Sequence, residues 1–189
     1  MDKGLSMSVI LTSPVVIDDP DDPRIEPFVA IRERDLVGRQ GFFIAEGEVV
    51  LRVLLDRSPH AAEAILVSPS RARALQDLLA RAACPVYVAA QDVIDRIAGF
   101  SIHRGVLALG RRAPLAEPRK LLAATGAQAL VLGLVGLTNH DNVGAAFRNA
   151  AAFGAAAVML DASTCDPLYR KAIRVSAGAL DFGGEGVGP

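Results

Sequence analysis

Residues 127–161, AQALVLGLVGLTNHDNVGAAFRNAAAFGAAAVMLD, decide the fold. The apolar run 127–137 predicts a buried strand, TNHD (138–141) a polar turn, NVGAAFRNAAAFG (142–154) a helix with Gly154 past its end, and AAAVMLD (155–161) a second strand. Strand, loop, helix and strand in that order form the unit of an α/β sheet. In open α/β sheets ligands gather outside the carboxyl ends of strands, beside helix N-termini. Asn139, His140, Asp141 and Asn142 are therefore expected at such a point, with Asp141 or Asn142 capping the helix. Gly144 and Arg148 are four apart and share a face, so Gly144 is expected to leave space above the Arg148 stem. Arg148 is the single charge between Val143 and Phe153. A buried unpaired charge is expensive, so its guanidinium must reach water, a carboxylate or a bound phosphate. A helix cap, a solvated arginine and a small-residue packing helix are the plain alternative.

The flanking sequence extends the pattern in both directions. Downstream, PLYRKAIRVSAG (167–178) predicts a helix with Pro167 in its first turn. Upstream, LLAATG (121–126) closes a helix, and RRAPLAEPRK (111–120) is a charged, proline-bearing break expected to act as a linker. Before it, FFIAEG (42–47), AEAILVS (62–68), PVYVAA (85–90) and GVLALGRR (105–112) read as strands. Residues 46–57, 70–82 (opened by Ser70) and 91–99 read as helices, as does 27–36. Alternating strands and helices predict a largely parallel sheet. Residues 1–23, with DDPDDP, are expected to be an extended, solvated lead-in. The expected organisation is a lead-in (1–23), a small α/β domain (24–110), the linker (111–120) and a second α/β domain (121–189).

Composition narrows the classes. Of 189 residues, 51% are hydrophobic and 22% charged, enough apolar material for one or two cores and too much for a disordered chain. No uninterrupted apolar run is long enough to span a bilayer, and MDKGLSMSVILTSPVVIDDPDD lacks the order of a secretory leader; a soluble cytoplasmic protein is expected. Cys84 and Cys165 stand alone, without a CxxC or Cys/His cluster, which excludes a disulfide scaffold and a zinc site. Net charge is −1, against a nonspecific polycation, but residues 24–120 carry 15 Lys and Arg against 11 Asp and Glu. That surplus is compatible with RNA. Arginine outnumbers lysine 17 to 3, which suits phosphate contacts and is equally the mark of a GC-rich coding sequence.

The segment NHDNVGAAFRNAAAFGAAAVMLD closely resembles the first signature of the SpoU-type RNA ribose 2′-O-methyltransferases, the TrmH branch of the SPOUT superfamily. Asn142, Gly144, Arg148, Ala150, Phe153 and Gly154 match it. CDPLYRKAIRVSAGAL (165–180) is similar to the second signature at Pro167, Lys171, Arg174, Ser176, Gly178 and Ala179. FFIAEGEVVLRVLLD (42–56) and AGFSIHRGVLALGRR (98–112) resemble the family's small substrate-binding domain, so the likeness spans roughly residues 24–180. It implies an α/β fold: a small N-terminal α/β substrate-binding domain followed by an incomplete SPOUT-type (trefoil-knot) methyltransferase domain. It further implies transfer of a methyl group from S-adenosylmethionine to a ribose 2′-hydroxyl of ribosomal or transfer RNA. A homodimer through the methyltransferase domain follows by the same resemblance.

Carried over residue by residue, the resemblance implies that Arg148 anchors a phosphate and stabilises developing oxyanion charge, because guanidinium scarcely deprotonates. It implies that Asn142 orients Arg148 or the RNA, and that Ser176 faces the site or packs its helix. Arg170, Lys171 and Arg174, with His103 and Arg104 in the first domain, are candidate RNA contacts; a solvated helix face and an idle loop histidine are the alternatives. The family's chain runs on after SAGAL, whereas here DFGGEGVGP (181–189) follows at once. Gly183, Glu185, Gly186 and Gly188 resemble the family's G-x-E-G-x-G loop, with a chance glycine-rich end as the other reading. On the first reading Glu185 joins the catalytic set and lies with Gly183 and Gly188 at the cofactor. The family's later I-P and S-x-N segments have no match, so the chain looks C-terminally truncated and weak or no binding of S-adenosylmethionine is expected. A noncatalytic RNA-binding module is the second hypothesis. A nucleotide-binding α/β enzyme of another kind is the third, and it lacks both GxGxxG and a P-loop lysine.

Overall fold

A computed structural model describes residues 13–28, 41–98, 102, 104–115, 117–179 and 184–187, the last four as backbone. The first sheet has five strands: β1 (Val15–Ile17), β2 (Phe42–Glu46), β3 (Ala61–Val67), β4 (Val86–Ala89) and β5 (Val106–Arg111), in the order β1-β4-β3-β5-β2. β1, β4 and β3 are parallel, while β5 runs antiparallel to both β3 and β2. The sheet is thus mixed where a largely parallel one was expected. Gly105, at φ +58°, makes the left-handed turn that starts β5 against the direction of β3. The second sheet, β6 (Val131–Leu134), β7 (Ala157–Leu160) and β8 (Gly184–Val187), is parallel throughout with β7 in the middle.

Seven helices accompany the sheets among the described residues: α1 (Glu48–Asp56), α2 (Pro69–Ala74), α3 (Gln76–Leu79), α4 (Gln91–Ala98), α5 (Pro118–Ala124), α6 (His140–Ala152) and α7 (Arg170–Ser176). None is long and apolar enough to cross a membrane. Boundaries moved where capping chemistry decided them. Ser68, not Ser70, caps α2, and the helix expected over 70–82 breaks at Leu75 into two short pieces. Glu117 caps α5 by accepting hydrogen bonds from the N–H groups of Arg119 and Lys120. Of the stretch 111–120, Arg111 therefore lies in β5 and Pro118–Lys120 in α5. α7 starts at Arg170 rather than Pro167, because Pro167 and Leu168 form a turn and Tyr169 is extended. The lead-in also differs. Val15–Ile17 pairs with β4 as an edge strand, and Pro23–Phe28 forms a 3₁₀ helix that buries Ile25 and Phe28. Most of the helix expected over 27–36 lies outside the described residues.

Period-2 alternation builds two buried layers on the first sheet. Ile17, Leu66, Tyr87, Leu107 and Leu109 face α4 and the 3₁₀ helix. Phe43, Ile65, Val67, Val106 and Ala108 face the other way, joining α1 (Leu51, Leu54), α6 (Val143, Phe147) and α7 (Ala172, Ile173) in one cluster that reaches Leu134 and Leu160 of the second sheet. The two sheets therefore share a core. By contrast, the run 127–137 forms a strand only over 131–134. As an edge with one neighbour it buries Leu134, while Val135 is 82% exposed. The fully buried strand expected there is corrected accordingly.

Candidate nucleic-acid interface

α6 starts two residues earlier than its sequence suggests, because Asn139 rather than Asp141 or Asn142 is the cap. Its side-chain oxygen accepts from the N–H groups of Asp141 (2.9 Å) and Asn142 (3.1 Å). Val143, Phe147 and Ala150, at i, i+4 and i+7, bury one face. A Schellman end with Gly154 at φ +70° closes the helix: Ala155 N–H donates to Ala150 C=O and Gly154 N–H to Ala151 C=O.

Gly144 does not make room for the Arg148 stem. A methyl group there would stand 2.5 Å from Ala172 C=O and 2.8 Å from Val175 Cβ, so α7 occupies the space. The missing side chain lets the backbones of α6 and α7 meet. Lys171 at the start of α7 pairs with Asp141 at the start of α6 at 2.7 Å. The two helices thus run side by side in the same direction. Asp141, Ala145 and Arg148 share one face of α6, and Lys171 and Arg174 share one face of α7.

Arg148 is exposed and makes no hydrogen bond or ion pair with any described residue. The same holds for the Arg174 side chain. Both side chains are exposed, on the two helices that the Asp141–Lys171 pair joins. Asn142 is exposed too but sits six residues from Arg148, on a different face, and no hydrogen bond joins them; a direct orienting contact between the two is absent. Lys171 and Arg170 are already engaged, Lys171 as above and Arg170 with Glu46 at 3.9 Å. Ser176 is buried and its hydroxyl donates to Ile173 C=O at 2.8 Å, so it packs the helix and does not face solvent. Arg104 lies some distance along the chain, in the first sheet's rim. Its side chain covers Gly47, and its C=O accepts from Arg71 Nε at 3.2 Å. Glu185 pairs through its backbone opposite Val158. Gly183, Gly188 and His103 lie outside the described residues.

The loops after β6 and β7 are organised by a residue that no motif singled out. Asp161 accepts from Gly136 N–H (3.1 Å), Thr164 N–H (2.8 Å), Thr164 hydroxyl (2.6 Å) and Ser163 hydroxyl. The Ser163 and Thr164 hydroxyls, then the Gly136 amide, hold its carboxyl well below the usual carboxylate range. The D-A-S-T spacing is a local turn signal that a closer look at the sequence could have found. Arg112 pairs with Asp166 across 54 residues, and that partner had no local signal. Next to it, buried His60 accepts from Ala113 N–H at 3.0 Å through Nδ1. Burial, then the nearby Arg112 charge, pushes its imidazole down to about 4.

Residues 129–183 match the family described as SpoU rRNA Methylase. The chain is 40% identical over 164 residues to an uncharacterized tRNA/rRNA methyltransferase of Mycobacterium bovis, covering 85% of this chain and 56% of that protein. It is 36% identical over 98 residues to a 23S rRNA (guanosine-2′-O-)-methyltransferase of Acinetobacter baylyi, covering 51% of this chain and 40% of that one. The chain thus spans about half the length of the relatives it matches. The fold resembles the AdoMet-bound rRNA methyltransferase of Sinorhizobium meliloti, with a TM-score of 0.75 at 18% identity, over 91% of this chain and 64% of the other. The signature helix, with its cap, its glycine contact and its exposed arginine, falls inside residues 129–183, the part of the chain that matches the SpoU rRNA Methylase family.

Proposed function

We propose that this protein takes part in methylating a ribose 2′-hydroxyl of ribosomal or transfer RNA in the cytoplasm, with S-adenosylmethionine as methyl donor. The observation that carries the reading is the exposed side chain of Arg148 on α6 and that of Arg174 on the adjoining α7, neither paired with a carboxylate among the described residues. Two unpaired cations on one seam suit a phosphodiester, which guanidinium binds with paired, charge-assisted hydrogen bonds. Arg148 would hold the backbone and stabilise charge developing on the attacking oxygen, while Asp141–Lys171 sets the seam's width. Asn142, uncommitted at the start of α6, is placed to contact RNA rather than Arg148. Arg104 would extend the contact onto the first sheet. Relatives named for rRNA or 2′-O-methylation and an AdoMet-bound structural neighbour support the chemistry.

The described residues alone do not fit the methyl donor. The cavity at the carboxyl end of β7 holds about 180 Å³, below the ~300–1,000 Å³ of pockets for ligands of that size. A noncatalytic RNA-binding module is the second reading, favoured by the same exposed arginines together with the small volume of that cavity. Around β6 and the end of α6, exposed Leu130, Val135 and Phe153 support a homodimer through the second half.

The test is methyl transfer from labelled S-adenosylmethionine to ribosomal RNA, with RNA binding measured alongside. The enzymatic reading expects incorporation that falls about 100-fold or more in Arg148→Ala, as for loss of an oxyanion-stabilising group. RNA binding that weakens in Arg148→Ala without any methyl transfer by the wild type selects the binding module. Methyl transfer and affinity that are both unchanged in Arg148→Ala refute both readings.

A further inference from the structure

We propose that Arg112 is a positioning residue. Its ion pair with Asp166 latches the β7–α7 loop to the first sheet and so fixes where α7 presents Arg174. Arg112 immediately follows β5, and its Nη2 reaches both carboxylate oxygens of Asp166 in a half-buried setting. Asp166 also accepts from Leu168 N–H at 2.9 Å, which shapes the turn that begins α7. The adjoining backbone is pinned as well, since Ala113 N–H donates to the buried His60 ring. That ring lies edge-on to Phe43 of the first sheet. The loop enters the core at its end, through buried Pro167 and Leu168. The 180 Å³ cavity lies between Arg112, Leu160, Thr164 and Pro167, so a polar tie spans the gap that apolar contact would otherwise fill.

Two further contacts carry the first sheet's position along α7. Glu46 of β2 reaches Arg170 at its start, and Val53 of α1 lies 3.0–3.4 Å from where a side chain on Gly178 would stand, just past its end. α7 is thus held at its base by the latch, in the middle by α6 at Gly144, and at its tip by α1. Loosening the base lets the helix shift relative to α6, which moves Arg174 away from Arg148. Arg112 Nε is buried and has no acceptor among the described residues, so the latch uses only the outer guanidinium nitrogen and a lysine can stand in for it.

The positioning role rests on the RNA reading above; the latch itself does not. Hydrogen–deuterium exchange on the intact chain tests the latch. Asp166→Asn keeps an acceptor for Leu168 N–H and removes only the charge. With it, amides of 168–176 are expected to exchange about tenfold faster or more while β3 and β5 stay unchanged. Arg112→Gln is expected to match it, and Arg112→Lys to restore the wild-type rate. Titration with mixed ribosomal RNA tests the consequence, and Asp166→Asn is expected to weaken binding about three- to tenfold. Removing a negative charge should by itself strengthen attraction to RNA, so weaker binding reports a displaced helix and not a lost contact. Unchanged exchange at 168–176, faster exchange spread over the whole chain, or a lysine variant as loose as the glutamine variant overturns the latch. Unchanged or tighter RNA binding by Asp166→Asn, with the exchange result intact, overturns the positioning role. Failure of the wild type to bind ribosomal RNA removes the functional reading, while the exchange arm still decides the latch.

Discussion

The two sheets are held together in different ways. The five-stranded sheet is buried on both faces, so β3 from Ala64 to Val67 and β5 from Val106 to Leu109 are continuous apolar runs with each alternate residue serving a different layer. The three-stranded sheet has an exposed edge at β6 and draws much of its buried contact, through α6 and α7, from Phe43 and Ala45 of the first sheet and Leu51 of α1. The first sheet brings its own core; the second borrows one. The borrowed face is the one behind the cationic seam, so the proposed RNA-binding arginines stand on a scaffold that depends on residues more than 90 positions earlier in the chain.

That dependence can be broken most severely at the shared core. Phe147 of α6 is 2% exposed and packs into the cluster that joins the sheets. Phe147→Ala is expected to destabilise the protein by about 3–5 kcal/mol. Because the core is shared, urea unfolding followed by circular dichroism should show one transition for both sheets. Two separated transitions in the wild type would mean that each sheet folds alone.

The next largest effect sharpens the comparison at the seam's polar tie. His60 is buried and its pKa is lowered from 6.5 to about 4. The unfolded chain therefore binds a proton between pH 6.5 and 4 that the folded chain refuses, so stability rises with pH across that window and is lost as pH falls through it. The full loss is about 3 kcal/mol from the size of the shift. In His60→Gln this part of the dependence should vanish, as melting temperatures from pH 7 to 4.5 would reveal; a wild type and variant with parallel slopes would place His60 in water.

The smallest effect separates packing from helix propensity. Gly144→Ala improves helix propensity by up to ~1 kcal/mol, yet its methyl group would meet Ala172 C=O at 2.5 Å. Since a backbone carbonyl cannot rotate away, the clash should win, with a net loss of about 1–3 kcal/mol. A stabilised Gly144→Ala protein would show that α6 and α7 are not in backbone contact.

Apart from β1, the 3₁₀ helix and β8, the sequence by itself determined the elements and their type, because apolar periodicity and turn residues act within a few positions. The strand–loop–helix–strand unit around 127–161 was legible, as was Arg148 as a charge needing an outlet. It also marked the SpoU signatures at Asn142, Gly144, Arg148, Lys171 and Arg174. Only the tertiary structure decided what the small residues were for. Gly144 serves α7 and not Arg148, Gly178 admits Val53, and Ser176 turns inward. It alone made β6 an edge, since an apolar run does not say how many neighbours it will have. It alone joined Arg112 to Asp166 and Glu46 to Arg170, partners 54 and 124 residues apart that no local pattern encodes, because folding pairs such charges through space once the core has brought their backbones together.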